Sequence, residues 1–370
     1  MPRIIDSLPV LYANLLPELF RAEIPHEEKA TCANCAMCEG SARTARVDSV
    51  DGVSRFFRPD TKCCTYHPRL PNYLVGAILS DERPELAEGR RRISERIRDR
   101  QGATPQWLRA PASYNLLYAH ARKSFGKAES LLCPYFSRES GGCTVWPYRE
   151  AVCSTYFCQY VAGADGRAQW TETKRFLTLV EVQLSRWAVW KLLPAFLDEG
   201  RDRDDGSVGI LGPEELDGRG TPLGDHRALW KEWTGREEDF YRECFRLVSG
   251  LTAADLERML GLDGELQRDV LRNRLRAATE PTLPSTLRFN PEATVQWRPD
   301  GSVALGAYSE NEALELPGVA YSLLVEFRGG GEPVDSVRAR LREKHGADLD
   351  EAVLLTLFRH RVLVDGGRPA

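Results

Sequence analysis

CPYFSRESGGCTVWPYREAVCSTYFC, residues 133–158, is the stretch on which the reading of this chain turns, because four of its residues are cysteine. Upstream lie CANCAMC, residues 32–38, and the doublet Cys63-Cys64, so nine of the chain's ten cysteines fall between positions 32 and 158. The tenth, Cys244, stands alone between Phe240 and Phe245 and reads as a small buried hydrophobe. The remaining composition is that of an ordinary globular protein, 42% hydrophobic and 28% charged, which excludes wholesale disorder and fibrous classes. A formal charge of −4 gives no basic surplus with which to bind a phosphate backbone, so no nucleic-acid partner is expected.

The opening residues, MPRIIDSLPVLYANLLPELF, are interrupted by Asp6, Pro9, Asn14, Pro17 and Glu18, so no signal peptide is expected. No apolar run approaches the roughly 18 residues of a membrane span, so no membrane partner is expected. A cytoplasmic location follows as the expectation, and in a reducing cytosol clustered cysteines are metal ligands more often than disulfides.

The candidate metal ligands are Cys32, Cys35, Cys38, Cys63, Cys64, Cys133, Cys143, Cys153 and Cys158. Two-residue spacings let neighbouring thiolates close on one metal. Thiolate sulfur suits both zinc and iron–sulfur clusters, and the residues leave that choice open. A bacterial ferredoxin run fails at Ala42 and Arg43, where a fourth cysteine and a proline would stand. Nine cysteines can supply two four-cysteine sites with one thiol to spare, or three tetrahedral zinc ions sharing bridges.

The 370 residues exceed what one core usually serves and point to more than one domain. Helical signals run through the first segment at 72–80 and 85–100, where Arg90, Arg91, Arg92, Arg96, Arg98 and Arg100 read as a solvated face. A longer helix is expected over 173–193, a linker over 198–224, and further helices over 225–278 with a Thr252/Asp255 capping box and a stop at Gly261. Asp202, Asp204 and Asp205 suggest calcium, but the loop glycine is out of register. Beyond Pro281 and Pro284 the pattern changes to a hairpin around Asp300-Gly301, a third strand at Leu314 to Leu316, and three helices at 319–327, 334–344 and 351–360. The expected fold is mainly α: a cysteine-rich helical metal-binding domain followed by a small winged-helix-like α+β domain. Its parts are a cysteine-cluster region at 1–165, a helical extension at 166–280 and the winged-helix domain at 285–370.

The second cysteine block, with Cys133-Pro-Tyr-Phe, Gly142-Cys143-Thr-Val-Trp, Arg149 and Cys153-Ser-Thr-Tyr-Phe-Cys158, resembles the YkgJ-type cysteine-cluster family, described as zinc- or iron-chelating. Members include flagellin lysine N-methylases, which use S-adenosylmethionine and are associated with an iron–sulfur cluster. The resemblance implies an iron–sulfur or zinc centre and makes S-adenosylmethionine a possible cosubstrate, although the sequence carries no motif for it. Arg149, which can hydrogen-bond thiolates or clamp a carboxylate, is the candidate cofactor-binding residue, with a plain surface arginine as its alternative. Glu150 follows it where the family usually has proline.

The C-terminal segment, through the Asp300-Gly301 hairpin, Leu314-Glu-Leu316-Pro317, Phe327-Arg-Gly-Gly and Arg361-Val-Leu-Val364, resembles PqqD-like peptide-recognition domains. That likeness implies a peptide or protein partner added as a strand beside residues 313–316. A peptide- or protein-modifying enzyme of the methylase type is therefore the first expectation. The alternative is a non-catalytic structural zinc-cluster protein whose last domain is an interaction module.

Overall fold

The computed structural model describes residues 2–25, 27, 35–38, 56–198, 212–329 and 331–367. Cys32 and the 202–205 aspartates lie outside the described residues. The chain is mainly α, with four small sheets among the described residues. No helix among the described residues is long and apolar enough to cross a membrane.

Three short 3₁₀ turns open the chain and place Ile4, Tyr12, Leu15, Leu16 and Phe20 in the core. Strand β1 (Leu70–Pro71) leads into α1 (Asn72–Ser80), and α2 (Ala87–Arg98) follows after a 3₁₀ turn. Every α1 residue from Asn72 to Leu79 is buried, so this helix is apolar all round and is enclosed by its neighbours. Strand β2 (Trp107–Leu108) pairs antiparallel with β1 and is followed by α3 (Ala112–His120). A hairpin of β3 (Phe136–Ser137) and β4 (Gly142–Cys143) precedes the short α4 (Ala151–Thr155).

The long α5 (Gly163–Leu192) forms the spine of the main core. It begins ten residues before the sequence pattern suggests. Gly163 and Gly166 weaken the local helix signal, but Gly163 fits where a side chain would not: a Cβ there would lie 2.5 Å from the Arg359 carbonyl oxygen. After α6 (Pro194–Asp198) come α7 (Pro213–Leu216), α8 (Leu223–Trp230), α9 (Glu237–Ser249) and α10 (Ala253–Thr279). Helix α9 packs on α1, and α10 packs along α5. Gly261 does not stop α10 as expected. With φ +54° and ψ −146° it kinks the helix, which resumes because residues beyond it still bury Leu271, Leu275 and Ala278.

A second core occupies the C-terminal segment. Strand β5 (Leu287–Phe289) leads to a three-stranded antiparallel meander of β6 (Thr294–Trp297), β7 (Ser302–Gly306) and β8 (Leu314–Pro317). Helices α11 (Gly318–Leu324), α12 (Val334–His345) and α13 (Glu351–Arg359) follow. The final strand β9 (Leu363–Asp365) returns to pair with β5, a two-stranded sheet that hydrophobic alternation alone does not announce. Val303, Leu305, Leu324, Val337, Leu341, Leu354 and Leu363 form this core. The main core, by contrast, runs from Ile4 to Leu275 and draws on both the expected 1–165 and 166–280 segments.

The two bodies meet through buried polar contacts. Glu312, 6% exposed, accepts from the Tyr160 amide at 3.2 Å and from the Tyr308 hydroxyl, with His360 Nε2 3.6 Å away. Arg361 pairs with Asp165 at 3.1 Å, and Arg359 donates to the Ala278 carbonyl at 2.7 Å.

Candidate functional site

The doublet Cys63-Cys64 sits at the centre of the cysteine constellation. The backbone reaches it through Lys62 in the left-handed region, φ +49°, a conformation uncommon for a side chain of this size. Lys62 Nζ donates to the Gly141 carbonyl at 2.6 Å, and Thr61 Oγ1 donates to the Gly126 carbonyl at 2.8 Å, which hold that turn in place.

From the doublet the thiols divide into two neighbourhoods. Cys63 packs with Cys35, Cys38 and Cys158 around Met37, Phe57 and Phe125. The Cys35-x2-Cys38 turn is closed by the Cys38 amide donating to the Cys35 carbonyl at 3.1 Å, and a parallel bridge joins Cys38 to Phe57. On the other side Cys64 and Cys143 pack against the main core beside the buried Cys133. The Cys133 amide donates to the Cys64 carbonyl at 2.7 Å. The β3–β4 hairpin, with Phe136 opposite Cys143, carries Cys133 and Cys143 to the same place. Cys153, on α4, lies near enough to Cys133 and Cys143 for both to oppose its ionisation, after burial and Glu150.

All nine described cysteines are thiols, not disulfide halves. Among the described residues, no three His, Cys, Asp or Glu side chains converge closely enough to hold a metal ion as they stand. The thiols are soft ligands of the chemistry that zinc or a four-cysteine cluster takes.

Electrostatics oppose ionisation of Cys63, Cys133 and Cys153 in the absence of a cation. Burial, and then the nearby Cys143, pushes the Cys133 thiol up to about 12. Burial and the Glu150 carboxylate push Cys153 well above the ordinary thiol range. The hydrogen bond with Cys64, followed by burial, does the same for Cys63. Thiols so reluctant to become thiolates are poor nucleophiles. A bound cation would reverse the preference by stabilising the thiolate directly.

Arg149 stacks its guanidinium 3.4 Å from the centroid of Trp146 and donates to the Cys153 carbonyl at 3.0 Å. It thus braces α4, and its charge favours the Cys63 thiolate. Glu150, unremarked by its residue type, is the N-cap of α4: its carboxylate accepts from the Val152 amide at 2.7 Å and the Cys153 amide at 3.0 Å. Glu181 on α5 accepts from the Ala151 amide at 2.7 Å, so two buried carboxylates fix the segment that carries Cys153.

Two arginines read as solvent-facing also turn inward. Arg92 donates to the Pro134 and Phe136 carbonyls on either side of Tyr135, at 2.6 and 2.9 Å. Arg96, 6% exposed, donates to the Tyr135 hydroxyl and to the carbonyls of Gln101 and Arg109. Both clamp the loop behind Cys133. A run of arginines carries no signal for this, but the position of Ile93 and Ile97 on the buried face shows which neighbours turn with them.

His67 is buried between Tyr114 and Tyr135, with Nδ1 3.1 Å from the Pro68 carbonyl. Tyr114 ties the post-doublet loop down, its hydroxyl donating to the Thr65 carbonyl at 2.7 Å and accepting from the His67 amide at 3.0 Å. No protein-family model, characterised protein or solved structure matches the chain.

Proposed function

We propose that this chain is a cytoplasmic metalloprotein with two cysteine centres, one drawn from Cys35, Cys38, Cys63 and Cys158 and the other from Cys64, Cys133, Cys143 and Cys153. The observation that supports the reading is the packing of Cys63 with Cys35, Cys38 and Cys158 while Cys64, hydrogen-bonded to Cys63, packs on the main core with Cys133 and Cys143. Cys153 is assigned to the second set by its electrostatic interaction with Cys133 and Cys143. Cys32, the ninth candidate, would be the spare or an exchangeable ligand.

Bound at these positions, zinc would supply folding free energy and a fixed scaffold, whereas an iron–sulfur cluster would add electron-transfer chemistry. The protein's own residues do the positioning. Glu150 and Glu181 set α4, Arg92 and Arg96 set the Cys133 loop, and Arg149 offers a cation beside Cys63. Together with the family resemblances, this supports a peptide- or protein-modifying enzyme, methylase-like, with S-adenosylmethionine as a possible cosubstrate. The C-terminal winged-helix-like domain would hold the peptide beside β8, whose outer edge has no strand paired to it among the described residues.

A second reading, a non-catalytic structural zinc protein, is favoured by the packing of Cys64, Cys133 and Cys143 directly on the main core. Anaerobic purification with metal and sulfide analysis and a visible spectrum separates the two. Broad visible absorption with iron and sulfide is expected for the first reading; colourless, zinc-loaded protein would leave only the second. Protein that binds neither metal would overturn both.

A further inference from the structure

Beyond the Gly261 kink, α10 runs on to Thr279 with two opposite faces. One buries Gly264, Leu271, Leu275 and Ala278 and packs along α5. The other carries Leu262, Leu266 and Val270 at intervals of four residues, 68%, 57% and 44% exposed. Side chains four apart lie one above another on a helix, so these three form an apolar stripe about 12 Å long. Apolar residues scattered singly over a surface need no partner, but a row of three on the face turned away from the core departs from that pattern.

The charges beside the stripe are divided by sign along the helix. Asp263, Glu265 and Asp269 stand toward its start and Arg272, Arg274 and Arg276 toward its end, all of them exposed. Asp269 pairs with Arg272 at 2.6 Å, and Arg268, between the two groups, pairs with Glu257 at 3.1 Å. Among the described residues no ion pair engages Asp263, Glu265, Arg274 or Arg276. Turned end for end, such a helix is complementary to itself. An antiparallel copy that sets Leu266 against the partner's Val270 also sets Asp263 beside the partner's Arg274 and Glu265 beside the partner's Arg272, because the three pairs share one two-fold axis. A parallel copy would oppose acid to acid.

We propose that this face of α10 is a self-association surface, on which two copies of the chain pair as an antiparallel helix dimer about a two-fold axis near Arg268. The apolar stripe supplies the buried centre, and the flanking charges fix the direction and the register. Every contact occurs twice across such an interface. One helix pair buries less than the roughly 1,200 Å² of a standard interface, so the dimer is weak and forms as concentration rises. The inference is independent of the metal centres and of the peptide-modifying reading.

Sedimentation velocity of the full chain over about 1 to 100 μM tests it, a range that spans the dissociation constants of weak dimers. The parent is expected to move from the mass of one chain toward twice that mass. Leu266→Glu is expected to weaken the dimer by about tenfold or more, whereas Val10→Glu, the same kind of change at a residue 81% exposed near the chain start, leaves it as in the parent. Asp263→Arg should weaken it about tenfold, and D263R/R274D, which restores opposite signs across the two-fold axis, should recover most of that loss. Circular dichroism of each variant, expected to match the parent's, separates loss of pairing from loss of fold. A parent that stays monomeric at every concentration would overturn the proposal. So would a dimer weakened equally by Leu266→Glu and Val10→Glu, or a D263R/R274D variant no better than D263R.

Discussion

Gly76 lies where α1 crosses α9, and a Cβ there would stand 1.9 Å from the Tyr241 carbonyl oxygen. Backbone on the far side cannot swing away as a side-chain tip can, so Gly76→Ala should cost about 3 kcal/mol, read as a lower midpoint in urea unfolding. An unchanged midpoint would mean that the two helices are not in contact. His67 gives a pH-dependent counterpart. Burial, reinforced by Arg96, holds its pKa well below 6.5, so the folded protein keeps it neutral where the unfolded chain takes up a proton. Its contribution is therefore complete above about pH 6.5 and is lost as pH falls below that, at up to roughly 1.4 kcal/mol per unit. His67→Gln should flatten the stability profile between about pH 7 and about pH 5, and an unchanged slope would show that the ring is not the group responsible. The cysteines stand out in the sequence by residue type and spacing alone. Glu150, Arg92 and Arg96 do not, because what distinguishes them is burial by segments distant in the chain.

At the scale of elements, local chemistry is read well where it is decided locally. Thr252 Oγ1 accepts from the Asp255 amide at 3.2 Å while Asp255 accepts from the Thr252 amide at 2.9 Å, the reciprocal cap that the four residues announce. Thr252→Ala should lower stability by about 1 kcal/mol and Thr252→Ser should restore most of it, as followed by thermal unfolding. Equal losses in both variants would show that the hydroxyl cap contributes nothing. Elements decided by distant packing are read less well. The first turns of α5 are hidden by Gly163 and Gly166; the missing side chain of Gly163 admits the backbone of Arg359 from the far end of the chain. Gly261 has the conformation of a helix terminator, and only burial of the residues beyond it carries α10 onward. His120 is exposed, and α3 buries none of its residues.

At the scale of the whole molecule, two hydrophobic cores are joined at a polar seam, and the cysteine-bearing turn at residues 156–160 lies on that seam beside Glu312. The linker prolines and the change from helical to alternating pattern mark the second core in the sequence, but the seam depends on a glutamate, a tyrosine and a histidine that no motif connects. Cys64, Cys133 and Cys143 pack on the main core, whereas Cys35, Cys38, Cys63 and Cys158 pack together with Met37, Phe57 and Phe125. Metal atoms per chain, measured after anaerobic purification in the parent protein and in the Cys158→Ser, Cys153→Ser and Cys244→Ser variants, test this arrangement most directly. Two centres predict that Cys158→Ser and Cys153→Ser each lose about half the metal while Cys244→Ser, buried in the main core, loses none. Metal content unchanged by both of the first two substitutions, or a metal-free parent protein, would contradict it.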